Sequence, residues 1–287
     1  MLKMKSNLIK GVFLILLISL LAGCSMHKSQ EELVKLQDEW NNLNKNVVVL
    51  YKQGNYPQSI QVAQEALKFA RNSFGKKDTK VAVSLNNLAE LNRATGKLTE
   101  AEAYYKEALK IDEKIYGKEH LDVARDLNNL AVLYRNLKKY EKAEALYNRA
   151  LTIREKLSGK GHPDVAISLN NLAVLYRAQE KYSKSEPLLK QALEIRKSAL
   201  GKEHPDVAIS LNNLAELYSA EGKYTQAEPL FKQSLAIFEK NYGKSHPSII
   251  TVLRNMSEMY KKTGKTAEAQ RIEQRALSII SAKPSKS

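Results

Sequence analysis

Apolar positions along this chain keep helical time, and they do so twice in every 42 residues. Leu211, Leu214, Ala215 and Tyr218 fall at i, i+3, i+4 and i+7, the spacing of one apolar helical face. This predicts a first helix, here called A. After Gly222-Lys223-Tyr224 a second run begins, with Ala227, Leu230, Phe231, Ser234, Leu235 and Phe238 again spaced by threes and fours. This predicts a second helix, B, folded back on A.

The unit repeats without slippage. Leu85 to Ala89 reads Leu-Asn-Asn-Leu-Ala and returns as 127–131, 169–173 and 211–215; Gly75 maps onto Gly117, Gly159, Gly201 and Gly243, and His120 onto His162, His204 and His246. Weaker copies carrying Leu43 and Gly54 at one end, and Leu253, Tyr260 and Gly264 at the other, bring the total to six. The units begin near 38, 80, 122, 164, 206 and 248 and fill residues 33–282, leaving a polar tail at 283–287.

Boundary residues support this division. Thr99 with Glu102, Ser183 with Glu186 and Thr225 with Glu228 have capping-box spacing and are expected to open the B helices. Pro163, Pro205 and Pro247 suit the first turn of an A helix, while Pro187 and Pro229 should each cost a B helix one early hydrogen bond. Ala101, Ala143, Ser185, Ala227 and Ala269 keep one B position small, so that the two helices approach closely. Lys138 and Glu180 replace the turn glycine in two units, and Asn46 takes an apolar place in the first. Leu33, Leu36, Trp40, Leu43, Val47 and Leu50 form one long stripe, expected to be a packed N-terminal cap and otherwise a surface for a partner helix.

The first residues follow a different pattern. Lys3, Lys5 and Lys10 precede an apolar run from Gly11 to Leu21 that is short for a membrane span; Leu21-Ala22-Gly23-Cys24 follows. Those four residues resemble the lipobox of bacterial lipoproteins. The resemblance implies a signal peptide at 1–23, acylation of Cys24, a linker at 24–32 and an exported protein held on the cell membrane by its lipid. An uncleaved signal anchor is the alternative. Cys24 is the single cysteine, so no internal disulfide can form. In a host with two membranes, Ser25 after the cysteine points to the outer one.

Composition adds charge to this picture. The chain carries +15, and losing residues 1–23 with their three lysines leaves +12. Nucleic acid, an anionic membrane surface and acidic proteins could all answer that charge, and export removes nucleic acid. An anionic envelope polymer or membrane surface stays open as an electrostatic partner.

The motif Leu-Asn-Asn-Leu-Ala-x-Leu-Tyr, then Gly-Lys-Tyr-x-x-Ala-Glu-x-Leu, Ala-Leu-x-Ile and Gly-Lys-x-His-Pro-Asp-Val-Ala resembles the tetratricopeptide repeats in their kinesin-light-chain form. The resemblance implies an all-α fold, a right-handed α-solenoid of six tandem helix-turn-helix repeats, with the A helices lining a concave groove. It also implies a binding scaffold or adaptor, here for envelope complex assembly, whose ligand is a peptide or protein with acidic residues around an apolar one. At about 100° per residue, Asn213 points almost opposite the core residues of its helix, as do Asn87, Asn129, Asn171 and Asn255. These asparagines are expected to meet a peptide main chain, with two donors and one acceptor group each; bonding between adjacent helices is the competing role. Arg93, Arg135 and Arg177 would grip carboxylates, and Val132 and Val174 would make the middle of the groove less polar.

Catalytic chemistry finds little footing. The histidines recur one per repeat, too far apart to share a metal; no nucleophile elbow is present, and Gly159-Lys160-Gly161 lacks phosphate-loop spacing. Neither enzyme, cofactor nor metal site is expected.

Overall fold

The computed structural model describes residues 29–281, which are helical and contain no strand. The expected signal peptide at 1–23, Cys24 and the expected tail at 283–287 lie outside them. The described chain divides between Lys76 and Lys77 into two compact units.

The first unit is one hairpin. Helix α1 (Gln30–Lys52) is capped by Ser29, whose hydroxyl accepts the Glu32 N–H, and α2 (Tyr56–Phe74) is capped by Asn55. The expected stripe is only partly packed. Trp40, Val47 and Leu50 are buried, whereas Leu33 is exposed, because α1 runs about two turns beyond the sixteen-residue length of A helices such as α3. Ser59 donates to the Val47 carbonyl at 2.9 Å across the hairpin, where a larger side chain would hold the helices apart.

The second unit holds five hairpins: α3 (Thr79–Ala94) with α4 (Leu98–Tyr116), α5 (Leu121–Asn136) with α6 (Tyr140–Ser158), α7 (Pro163–Ala178) with α8 (Tyr182–Leu200), α9 (Pro205–Ala220) with α10 (Tyr224–Tyr242), and α11 (Ile250–Lys262) with α12 (Thr266–Ser281). A 3₁₀ turn at Pro247–Ile249 leads into α11. Helices α4, α6, α8 and α10 each pack against the A helix of the next hairpin as well as their own. The A helices are therefore enclosed. In α9, Val207, Ala208, Leu211, Leu214, Ala215, Leu217 and Tyr218 are all buried, a wider arc than one face of period 3.6. In α10 only a stripe with Ala227, Phe231, Ile237 and Phe238 is apolar and buried.

The caps differ from expectation. The A helices are opened by side chains at one repeated place: His120, His162 and His204 each offer Nδ1 to the N–H two residues on, and Asp78 does so with Oδ1. The capping boxes expected on the B helices do not form. Helices α4, α8 and α10 start at Leu98, Tyr182 and Tyr224, one residue before the anticipated Ser or Thr caps, and carry no side-chain cap. The freed glutamates have other work: Glu102, Glu186 and Glu228 accept the hydroxyls of Tyr134, Tyr218 and Tyr260 from the next A helix at 2.9–3.0 Å. Pro187 and Pro229 sit at the sixth position of uninterrupted helices.

A-to-B turns close in one way, with Lys139 N–H reaching the Tyr134 carbonyl at 2.8 Å over a left-handed residue. Glycine supplies that residue at 96, 222 and 264, but Lys138 and Glu180 take it with φ of 56° and 58°.

Candidate binding face of the A helices

Asparagine pairs run along the A helices of the second unit, and the two members of each pair behave differently. The first members, Asn86, Asn128, Asn170 and Asn212, are buried; the second, Asn87, Asn129, Asn171, Asn213 and Asn255, are half-buried. Asn171 donates Nδ2 to Asn128 Oδ1 at 2.8 Å, Asn213 to Asn170 at 2.7 Å and Asn255 to Asn212 at 3.1 Å. Three of the expected groove asparagines thus spend one donor stitching neighbouring A helices together. The role between adjacent helices is real, and it takes part of each amide.

One step of this ladder is broken. By the same register Asn129 should donate to Asn86 Oδ1, yet Asn86 turns its Nδ2 to Asp126 Oδ1 at 2.8 Å and its own Oδ1 is left buried without a partner. Asn129 makes no side-chain hydrogen bond among the described residues. The cause is a local exchange of chemistry between hairpins. Asp126 stands where Ser84, Ser168 and Ser210 stand in other repeats, and Asp112 stands where Arg154 and Arg196 stand. In the later hairpins the buried arginine donates to the serine hydroxyl, Arg154 to Ser168 at 2.7 Å and Arg196 to Ser210 at 2.8 Å. Here two buried carboxyls meet instead, answered by Arg125, which lies 3.1 Å from Asp112 and 3.3 Å from Asp126 and also binds Asp122.

Burial pushes both acids upward, Asp126 to about 7, against the pull of Arg125. Asp112 Oδ1 and Asp126 Oδ2 are buried without a hydrogen-bond partner. Beside this pair lies a concavity of about 330 Å³ lined by Val83, Asn86, Asn87, Glu90, Tyr105, Arg125 and Asn129.

A second concavity, of about 350 Å³, opens at the equivalent repeat positions among α9, α10 and α11. Ile209, Phe238, Tyr242 and Val252 give it an apolar wall, and Asn212 and Asn213 line it too. Phe238 and Val252 occupy the places of the arginine and serine of the preceding hairpins, so the buried polar pair has become an apolar one.

The expected arginines divide as well. Arg93 is paired with Glu90 and Arg177 with Glu216, while Arg135 has no ion pair among the described residues. Val132 and Val174, both half-buried, stand beside it in the repeat register. Sequence reading missed the first-member asparagines, the Asp112–Asp126–Arg125 cluster and Tyr147. Asp112 and Asp126 were signalled by departure from the 42-residue period, whereas the first-member asparagines keep that period and were passed over because they stand beside the ones that point away from the core.

Among the described residues no group of three or more histidine, cysteine or acidic side chains is placed to hold a metal, and no helix is long and apolar enough to cross a membrane.

Tetratricopeptide repeat models match residues 41–114, 80–156, 122–198, 164–240 and 206–282. Among solved structures, BtubC (BKLC) from P. vanneervenii is 25% identical with a TM-score of 0.59, covering 85% of this chain and 96% of its own. Kinesin light chain TPR-like repeats of Podosopora anserina are 22% identical with a TM-score of 0.57, covering 71% and 97%. A Rap protein complexed with Competence and Sporulation Factor is 17% identical with a TM-score of 0.62, covering 87% and 78%. At the two lower identities the likeness carries the fold alone. No curated protein matches the chain.

Proposed function

Since this chain belongs to the tetratricopeptide repeat family, we propose that it is a scaffold or adaptor that binds a peptide or protein partner along its A helices. The observation that carries this reading is the broken ladder step. Everywhere else along the ladder the buried asparagine oxygen is satisfied by the next hairpin. Between α3 and α5 the half-buried Asn129 makes no side-chain hydrogen bond among the described residues and lines a concavity. Its amide offers two donors and an acceptor to the C=O and N–H of an extended main chain. The apolar concavity at Ile209, Phe238 and Tyr242 offers a place for a bulky side chain of the same partner. Neighbours in the fold support binding of this kind, since the Rap structure was solved with a bound factor.

A photo-crosslinking side chain introduced at Val174 tests the reading. It should capture a discrete partner, whereas the same group at Gln191, on the outer B face, should not. Equal capture from both positions would contradict binding along the A helices.

The scaffold is further proposed to work at a membrane, tethered by lipid on Cys24, because residues 21–24 have the lipobox pattern and no other cysteine exists. Two or more acyl chains, at about 0.8 kcal/mol per buried methylene, suffice for stable anchoring. Labelled fatty acid should enter the wild type and not Cys24→Ala; label in both would remove the anchor.

A further inference from the structure

Two hairpins of the second unit close one edge with a clamp between the end of the B helix and the loop that leads into the A helix. Lys156 of α6 pairs with Glu119, and Lys240 of α10 pairs with Glu203. In the hairpin of α7 and α8 the same two places are held by Ser198 and Gly161, so lysine and glutamate are absent together. From α5 to α10 the clamp is kept whole or dropped whole.

The hairpin of α3 and α4 does neither. Lys114 keeps the B-helix place, but the loop place of Glu119 and Glu203 is taken by Lys77. A second reversal of charge stands three residues on, where Lys80 replaces Asp122, Asp164 and Asp206. Lys110, one turn before Lys114 on α4, stands where the other B helices have Thr152, Glu194 and Ala236. Positions 77–80 with 110 and 114 therefore carry a formal +3, four lysines against Asp78. The equivalent positions, with histidine neutral, carry −1 in the hairpin of α5 and α6, −2 in that of α7 and α8 and −1 in that of α9 and α10.

This charge is left largely unanswered. Lys80 is met by Asp78 at 3.5 Å, whereas Lys77, Lys110 and Lys114 are exposed and have no carboxylate partner among the described residues. The Lys77 ammonium lies against that of Lys114 and, with a further push from Lys110, holds it below the ordinary lysine value. Like charges at such spacing destabilise the fold that brings them together. An anion seated between them would turn that repulsion into attraction.

We propose that Lys77, Lys110 and Lys114 form a binding site for a phosphate group. Ammonium groups act as compact point charges rather than planar forks, so three of them suit a multiply charged oxyanion. The site belongs to the loop edge of α3 and α4 and does not depend on partner binding along the A helices. A lipid headgroup and a soluble phosphate share this chemistry.

Two titrations of the full chain in maltoside detergent separate these sources, one with pyrophosphate and one with phosphatidylglycerol carried in the same micelles, both followed by calorimetry. At least one probe should bind, and it should bind about tenfold more weakly to Lys77→Glu. That variant rebuilds in this hairpin the clamp that Glu119 makes with Lys156, so without phosphate its melting temperature should hold or rise. Weaker binding at undiminished stability separates recognition from folding. Lys110→Gln leaves both clamp places untouched and should weaken the same probe severalfold. Lys160→Glu makes the same change of charge in the loop before α7 and should bind like the wild type. Binding of pyrophosphate alone assigns a soluble phosphate, and binding of phosphatidylglycerol assigns a headgroup. Failure of both probes to bind the wild type, undiminished binding by Lys77→Glu, or an equal loss in Lys160→Glu would overturn the site. The scaffold reading fails by a different sign, equal crosslinking from Val174 and Gln191.

Discussion

Lys138 and Glu180 show how far a single residue can depart from the repeat without breaking it. Both occupy a left-handed turn that glycine holds elsewhere in the chain. An L-residue with a Cβ is strained there by about 1–2 kcal/mol, offset in part by the lower unfolded-state entropy of a non-glycine. Lys138→Gly and Glu180→Gly should each raise stability by roughly 1 kcal/mol in denaturant titrations; unchanged or lowered midpoints would mean that the side chains contribute more than their strain costs. Asp126 makes a second prediction at this scale. Burial raises its folded pKa from 3.8 to about 7, so between those values the folded chain holds a proton that the unfolded chain has released. Stability should therefore fall as pH rises from about 4 towards 7 and then level off. Asp126→Asn should flatten that slope in melting temperatures followed across the window. Glu228, held down at about 2 chiefly by Lys232 and Lys265, acts with the opposite sign, but its contribution is lost only as pH falls below the ordinary carboxylate range.

Each hairpin element is tied to its neighbours by ladders whose members are not equivalent, and this separates packing from recognition. Asn171→Ala should cost about 1 kcal/mol or more, because it strands the buried Asn128 oxygen. Asn129→Ala breaks no such bond and should leave the melting temperature nearly unchanged; equal losses would show that the ladder is not interrupted at that step. The helices themselves were legible because leucine, alanine and tyrosine at fixed spacings leave little freedom in where an amphipathic helix packs. The same period concealed how much of each A helix is enclosed, since enclosure depends on the B helix of the preceding hairpin, which no single-helix pattern records. Capping boxes misled for a related reason: Thr225 and Glu228 have the right spacing, but the helix begins at Tyr224 with Lys223 in the capping place, and Glu228 is claimed by Tyr260. At the candidate site, the half-buried asparagines and arginines were found by their angle from the core. The partners that decide which of them are free, Asp126 for Asn86 and Glu216 for Arg177, sit on other elements and were visible only in space.

For the molecule as a whole, excess positive charge and a recognition face make different demands. A charge-driven contact responds to any exposed lysine in proportion and weakens smoothly with salt. Recognition depends on two or three side chains whose neighbours have been changed to suit them. Two departures from periodicity, Asp112 and Asp126, lie beside the open step of the asparagine ladder between α3 and α5. A scaffold that binds through that region should lose its partner through substitutions there that barely alter the fold. The most direct measurement is quantitative capture of the partner from native envelope extract by wild type, by Asn129→Ala with Arg135→Ala, and by a charge-matched control, Lys160→Ala, with melting temperatures taken in parallel. The account predicts that capture falls at least about tenfold in the double variant and is unchanged in the control, with all three proteins equally folded. Capture that persists in the double variant, or falls equally in the control, would contradict it.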